Sequence, residues 1–406
     1  MNNIDDITSD APKVTRRALL GGAASLLGTF SLMSCGTTSS KLLTAPKKLD
    51  AIYPGKVWLD TDGKPIQAHA GSLIAVGDTY YWYGENKEYT DGKSGIESWG
   101  IRFYRSKDLY NWEDLGAIIP ANIEDPESPL SYKVYPERPH IIYNPVTKKY
   151  VCWIKIRGLG PQFRTVLIAD QITGPYLMVH EKLFPAGLHA GDFDLVIDED
   201  TNKAYMYFEH DHSEIICAEL NEDWTDATEN ISHHFPRKPP NTREAPALFK
   251  RDNTIYMTTS GLSGYFPNPS EIASAQDYHG PFKTLGILHP NDVTETSFNS
   301  QISDVFKVPG KKNLYIALAD TWFPHVADDP NYASGDLSRW VRSAIAKATS
   351  KPMKPFTPEE QKAVMYAAQL TGVNTSISRY VWLPITFNGD YPTIEWRDSW
   401  RIEDFD

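Results

Sequence analysis

Five polar residues stand at a nearly constant distance ahead of a tyrosine. His69 leads Tyr81 by 12 residues, Glu137 leads Tyr150 by 13, Asp192 leads Tyr205 by 13, Glu244 leads Tyr256 by 12 and Gln301 leads Tyr315 by 14. Three of the five are carboxylic acids. Acids gathered in one place displace one another's pKa values, because neighbouring like charges resist joint ionisation, and such a set can supply a proton donor and a proton acceptor. The five positions bring no basic residue with them, so the acids are expected to meet without a basic counter-cluster. A single polar residue opening a strand would merely cap a turn or touch water; the recurrence is what points to a site.

Each polar residue is followed by an apolar strand, a polar turn and a second strand that carries the tyrosine, as in PHIIYNPVTKKYVCWIK and DLVIDEDTNKAYMYFEH. Successive tyrosines are 69, 55, 51 and 59 residues apart, which leaves room for two more strands per unit. Segments such as VLIADQITGPYLMV and IASAQDYHGPFKTLG read as those outer strands, and YVWLPITFNG and PTIEWRDSWRI as the last two. The pattern predicts an all-β fold, a five-bladed β-propeller over residues 49–406. In a propeller the first strand of each blade lines the axis, so the five polar residues converge on one end of the central channel. Residues 334–372 depart from the pattern and read as two short helices inserted in blade five. Thr357-Pro358-Glu359-Glu360 supplies a capping hydroxyl, a proline at the first helical position and early acids. Such an insertion either walls a pocket or packs against the side of the barrel.

The chain holds 52 acidic against 40 basic residues, a formal charge of −12, which disfavours nucleic acid and polyanions and favours a neutral substrate. Its first residues read as an export signal. Thr15-Arg16-Arg17-Ala18-Leu19-Leu20 resembles a twin-arginine motif, and the apolar run after it ends in Leu32-Met33-Ser34-Cys35, similar to a bacterial lipobox. The expectation is a signal peptide over residues 1–35, lipidation of Cys35, a flexible tether over 36–48 and a domain held at the bacterial cell envelope, in the periplasm or at the cell surface. Cys152 and Cys217 each sit in an apolar strand and read as buried thiols, with a bridge between them left open. The run His210-Asp211-His212 reads as a solvated loop, so no metal site is expected there.

The motifs Gln67-Ala68-His69-Ala70-Gly71, Glu137-Arg138-Pro139, Arg243-Glu244-Ala245-Pro246-Ala247, Phe298-Asn299-Ser300-Gln301 and Tyr380-Val381-Trp382-Leu383-Pro384 together resemble the five-bladed propeller glycoside hydrolases of family 43, from about Val57 to the end. The branch they resemble contains exo-β-1,3-galactanases. The resemblance implies inverting hydrolysis, with one carboxylic acid protonating the leaving oxygen and a second group activating water from the opposite face. It implies Glu244 as the general acid and Asp192 as the aspartate that orients it and holds its proton on. Most members carry the base in an Asp-Pro pair where this chain has His69-Ala70. The galactanase-like branch shares that gap, and there the position of Gln301 holds or activates water; Glu137, Glu85 and His69 remain as other bases. Glu85, Glu137 and His69 would otherwise bind sugar hydroxyls, and Tyr135, Trp99, Tyr265 and Trp322 are aromatics able to stack on a pyranose. No cofactor is required, although an ion such as calcium in the channel, with His69 and His189 as neighbours, is compatible with the resemblance. The implied substrate is a β-1,3-galactan or arabinogalactan-type oligo- or polysaccharide. An α-L-arabinofuranoside or β-galactofuranoside on the same fold, and a non-catalytic carbohydrate-binding lipoprotein, are the alternatives.

Overall fold

The computed structural model describes residues 48–236, 243–332, 334–350 and 352–406. The twin-arginine motif, the Cys35 lipobox and the tether up to residue 47 lie outside the described residues. Five antiparallel sheets follow one another along the chain. Blade one is β1 (His69–Val76), β2 (Thr79–Glu85), β3 (Gly100–Ser106) and β4 (Glu113–Pro120); blade two is β5 (Tyr135–Asn144), β6 (Lys149–Arg157), β7 (Phe163–Ala169) and β8 (Leu177–Leu183). Blade three is β9 (Phe193–Asp198), β10 (Lys203–His210), β11 (Glu214–Leu220) and β12 (Ala227–His234), and blade four is β13 (Glu244–Arg251), β14 (Thr254–Ser260), β15 (Glu271–Ala275) and β16 (Lys283–Ile287). Blade five is β17 (Gln301–Lys307), β18 (Tyr315–Thr321), the short β19 (Arg379–Tyr380), β20 (Leu383–Asn388) and β21 (Tyr391–Ile394). The strand expected through Trp396 to Ile402 therefore stops at Ile394, and Trp400 instead forms an isolated bridge with Ile52.

Burial follows strand position. The second strands are almost wholly buried, as in the pattern of β6, whereas the outermost strands such as β8 alternate exposed and half-buried residues. That gradient arises because each second strand is covered on both faces by neighbouring blades, while the fourth meets water. The repeat's tyrosines tie adjacent blades: Tyr315 donates to the Lys250 carbonyl at 3.0 Å, and Tyr205 stacks on Tyr278 with ring centres 4.6 Å apart. The ring is closed between blades five and one by indoles. Trp82 lies 4.4 Å from Trp382 and 5.3 Å from Trp112, with Trp58 against both Trp82 and Trp382. Aromatic pairs at tilted or edge geometry add about 0.5–1.5 kcal/mol each beyond the area they bury. Cys152 and Cys217 are buried free thiols in blades two and three.

The insertion forms α1 (Asp336–Ala348) and α2 (Pro358–Leu370), between β18 and β19. Thr357 and Glu360 make the reciprocal capping box that starts α2. The two helices pack Leu337, Val341, Ala363 and Ala367 against Phe266 and Phe323, which flank Tyr265 and Trp322 in the chain. Among the described residues no helix is long and apolar enough to cross a membrane.

Candidate active site

The first strands β1, β5, β9, β13 and β17 lie next to one another around the axis. In three blades the residue after the opening polar residue adopts a left-handed backbone: Ala70 (φ 43°), Arg138 (φ 48°) and Ala245 (φ 51°). The strand register slips at the same points. These are β-bulges, which bend a strand end and re-aim its side chain. Four of the five openers, Glu137, Asp192, Glu244 and Gln301, line one cavity of about 310 Å³ together with Glu85. Tyr265 and Trp322 stand on its wall, edge to face with centroids 5.4 Å apart.

His69 does not reach this cavity. Its ring is fully buried, 2.9 Å from Asp320 through Nδ1 and stacked on Tyr380, and the residue that faces the cavity from blade one is Ala70. A direct sugar contact by His69 is thereby excluded in this conformation. Tyr135 also differs from expectation: its face is covered by the Arg157 guanidinium at 3.7 Å, so it backs a charged residue of the wall. Trp99 packs edge-on against Tyr89 and Tyr132.

The expected lack of a basic counter-cluster is overturned. Lys155 Nζ lies 2.7 Å from both Glu137 and Asp192, Arg157 lies 2.7 Å from Glu137, Arg138 Nε lies 3.2 Å from Asp192, and Lys87 lies 2.8 Å from Glu85. The reason is register. Directly across from the openers on the second strands stand Glu85 (opposite His69), Lys155 (opposite Glu137), Ser260 (opposite Glu244) and Asp320 (opposite Gln301), while Glu209 donates its amide to the Asp192 carbonyl. Counting openers alone misses this second ring; pairing each hairpin across its turn would have found it.

These charges divide the acids into two kinds. Burial would raise Glu137, but Lys155 and Arg157 outweigh it and hold the carboxyl at about 2. Burial likewise opposes Asp192, yet Arg138 and Lys155 keep it below the usual carboxylate range. Glu244 makes no ion pair among the described residues; burial first, then Asp192 and Glu209, push it up to about 8. A carboxyl protonated at neutral pH therefore faces a carboxylate that stays ionised, the division of labour a proton donor needs. Gln301 connects the two sides. Its Oε1 accepts from Arg138 Nη2 at 2.7 Å, and its Nε2 donates to Ser260 at 2.9 Å and lies 3.4 Å from Glu244 Oε1.

One level further along the channel, the residues three on from four openers and two on from Asp192 form a second tier: Ser72, His140, Asp194, Ala247 and Asp304. His140 Nδ1 is 2.8 Å from Asp194, and Ser72 donates to Asp304 at 2.5 Å. Donor atoms of His140, Asp194 and Asp304 lie within 4.8 Å of one another. They do not fit calcium, which takes about six to eight oxygen ligands. Here one donor is an imidazole, and the carboxylates already accept from Leu195, Leu248 and Val305 amides. Burial disfavours the imidazole's charge, but Asp194 outweighs burial and raises His140 above the usual imidazole range. Neither His69 nor His189, which pairs with Asp211 at an exposed position, belongs to this group.

The family model of glycosyl hydrolases family 43 matches residues 64–321. The chain belongs to glycoside hydrolase family 43. No curated protein matches the sequence. A solved structure described as a GH43 β-1,3-galactosidase is 30% identical with a TM-score of 0.70; the match covers 87% of this chain and 64% of that one, so the chain spans less than two thirds of its length. A second GH43 β-1,3-galactosidase, solved with galactodeoxynojirimycin, is 25% identical with a TM-score of 0.67, covering 86% of this chain and all of that one. An exo-β-1,3-galactanase from Clostridium thermocellum is also 25% identical, with a TM-score of 0.66 over 86% of this chain and 66% of that one. This family 43 member is thus a glycoside hydrolase, and the cavity at the end of its channel is where four of its five repeats place their opening polar side chains.

Proposed function

We propose that the protein is an exo-acting, inverting glycosidase that releases galactose from β-1,3-galactan or arabinogalactan-type glycans. The observation that carries this reading is the raised Glu244 carboxyl beside the ionised Asp192. Glu244 protonates the glycosidic oxygen as the bond to the anomeric carbon breaks; Asp192 and Glu209 favour its protonated state before the reaction. Gln301, fixed by Arg138 and Ser260, orients the attacking water. Glu137 and Glu85 accept hydrogen bonds from sugar hydroxyls, and Tyr265 and Trp322 offer apolar faces to the ring. A cavity of about 310 Å³ is small for a ligand site and suits a terminal sugar better than an internal stretch of polymer. The β-1,3-galactosyl preference draws on the two β-1,3-galactosidases and the galactanase to which the chain is similar. Export through the N-terminal signal and lipidation at Cys35 would place the domain at the bacterial envelope, facing such glycans.

The test is sugar release from β-1,3-galactan, arabinogalactan and arabinofuranosides by wild type and Glu244→Gln. Galactose released by the wild type and lost in the variant is the expected result. Arabinose release alone would move the assignment to an arabinofuranosidase, and ligand binding without release from any substrate to a carbohydrate-binding lipoprotein.

A further inference from the structure

We infer that Glu295 is a positioning residue: clasped by two arginines of the helical insertion, it holds the strained segment that sets Gln301 in the catalytic cavity. The inference rests on the glycosidase reading of that cavity, with Gln301 as one of its working groups. The segment lies between β16 and β17 and ends on Gln301. Four of its residues adopt a left-handed backbone: Glu295 (φ 53°), Ser297 (φ 56°), Phe298 (φ 57°) and Asn299 (φ 57°). None is a glycine, so each sets its Cβ too close to its own backbone, and such a run persists only where the surroundings over-determine it.

Part of the restraint is local. Asp292 Oδ2 accepts the Thr296 and Phe298 amides at 2.8 and 3.0 Å, and its Oδ1 accepts the Thr294 amide at 3.0 Å. The blades hold the end nearer Gln301. Ser297 Oγ accepts the amide of Ser270, just ahead of β15, at 2.7 Å, and Asn299 Nδ2 donates to Thr321 Oγ1, at the end of β18, at 3.0 Å.

The other end is held by α1. Arg339 Nη1 lies 2.6 Å from Glu295 Oε1 and Arg342 Nη2 bonds to Oε2, so each carboxylate oxygen has its own guanidinium. The two arginines are three residues apart and share one face of the helix. Ser338 donates to the Glu295 carbonyl at 2.8 Å, and Tyr332 donates to the Thr296 hydroxyl. Helix and segment approach so closely that a Cβ on Gly335 would sit 2.6 Å from the Val293 carbonyl oxygen. A lone exposed ion pair adds little to stability. Here one residue is held through both carboxylate oxygens and its own carbonyl, at the first left-handed position of the run. The same two helices pack on Phe266 and Phe323, the chain neighbours of Tyr265 and Trp322. The insertion therefore grips both the aromatic corner and the segment that delivers Gln301. Without the clasp the run relaxes toward ordinary backbone, and Gln301 leaves its place between Arg138, Ser260 and Glu244. Sugar contacts from Glu85, Glu137 and Trp322 stay, so the loss falls on kcat more than on KM.

Full-length wild type, Glu295→Gln, Gln301→Ala and the double variant are compared on β-1,3-galactobiose and an aryl α-L-arabinofuranoside. Glu295→Gln is expected to lower kcat by about 10- to 100-fold, with KM within about threefold of wild type. Because Glu295 acts through Gln301, the double variant should match Gln301→Ala in kcat to within about twofold. A folded Glu295→Gln with kcat within about threefold of wild type, or losses that multiply in the double variant, overturns the inference and leaves the part of Gln301 standing. Gln301→Ala with the kcat of wild type overturns that part and the inference with it. Should Glu295→Gln fail to fold, Arg342→Gln decides, since it opens half the clasp: a lowered kcat that adds nothing to Gln301→Ala supports the inference, and an unchanged kcat or multiplying losses overturns it. Hydrolysis of the arabinofuranoside alone overturns the galactosidase reading, and the same comparison on that substrate still decides Glu295. Hydrolysis of neither overturns both.

Discussion

Arg138 Nη2 donates to Gln301 Oε1 at 2.7 Å while the same guanidinium sets its Nε 3.2 Å from Asp192. One planar group thereby fixes both the amide proposed to orient water and the carboxylate proposed to bias the acid. Its backbone amide also donates to Glu85 Oε1 at 3.1 Å, and its left-handed backbone is the bulge of blade two. Lysine has no rigid fork and cannot serve both partners at once. Arg138→Lys is expected to lower kcat/KM by about 10- to 100-fold, as misplacement of a reacting group by an ångström can do. Steady-state kinetics checks this, with a thermal melt within a few degrees of wild type as control.

Glu244 carries a linked prediction for rate and stability. As the proposed proton donor, Glu244 must be protonated, so kcat should fall as pH rises through about 8. Its folded pKa is raised above the ordinary 4.5, so the folded state holds the proton more tightly than the unfolded one. The stability this affords is fully present below pH 4.5 and is lost as pH rises toward 8. Glu244→Gln removes the ionisation, and its melting temperature relative to wild type should be higher at pH 8.5 than at pH 5. An equal difference at the two pH values would count against a raised carboxyl.

Lys155 is the shared counterion of Glu137 and Asp192 and is itself buried. Removing one partner of a buried pair leaves uncompensated charge, at a cost of about 3–5 kcal/mol. Lys155→Met should lose stability of that order in urea unfolding at pH 7. The loss should shrink at acid pH, where the two carboxyls take up protons in the unfolded chain and, without Lys155, more readily in the folded one.

Trp322 and Tyr265 make an aromatic corner held from behind by α1 and α2 through Phe323 and Phe266. Trp322→Ala should raise KM by about 10-fold, the loss of about 1.4 kcal/mol of stacking and apolar contact, and change kcat less. Activity on short and long galactans measured side by side tests it. A fall in kcat with unchanged KM would place Trp322 in the chemistry instead of in binding.

Much of this molecule was legible in the chain because it is built from local units. A hairpin's opener, turn and tyrosine lie within 15 residues, and five copies declare both the strands and the number of blades. The capping box of α2 is equally local, since Thr357 and Glu360 are three residues apart. The convergence of Glu137, Asp192, Glu244 and Gln301 also follows from repetition, because equivalent positions of a closed ring must meet at its axis. The charges that set their protonation were not legible in that way. Lys155 stands 18 residues beyond Glu137 and meets Asp192 from a different blade, so its effect depends on hairpin register and blade packing together. His69 shows the limit most plainly. Its place in the repeat sends it to the axis, but the Asp320 carboxylate and the Tyr380 ring, both more than 240 residues away in sequence, hold it beneath the cavity wall. Composition and period determined the propeller and the ring of polar residues; only the tertiary structure decided which of them face the cavity and which are charged. Side-chain aim and ionisation depend on neighbours a few ångströms away in space, and in a closed ring those neighbours come from opposite ends of the chain.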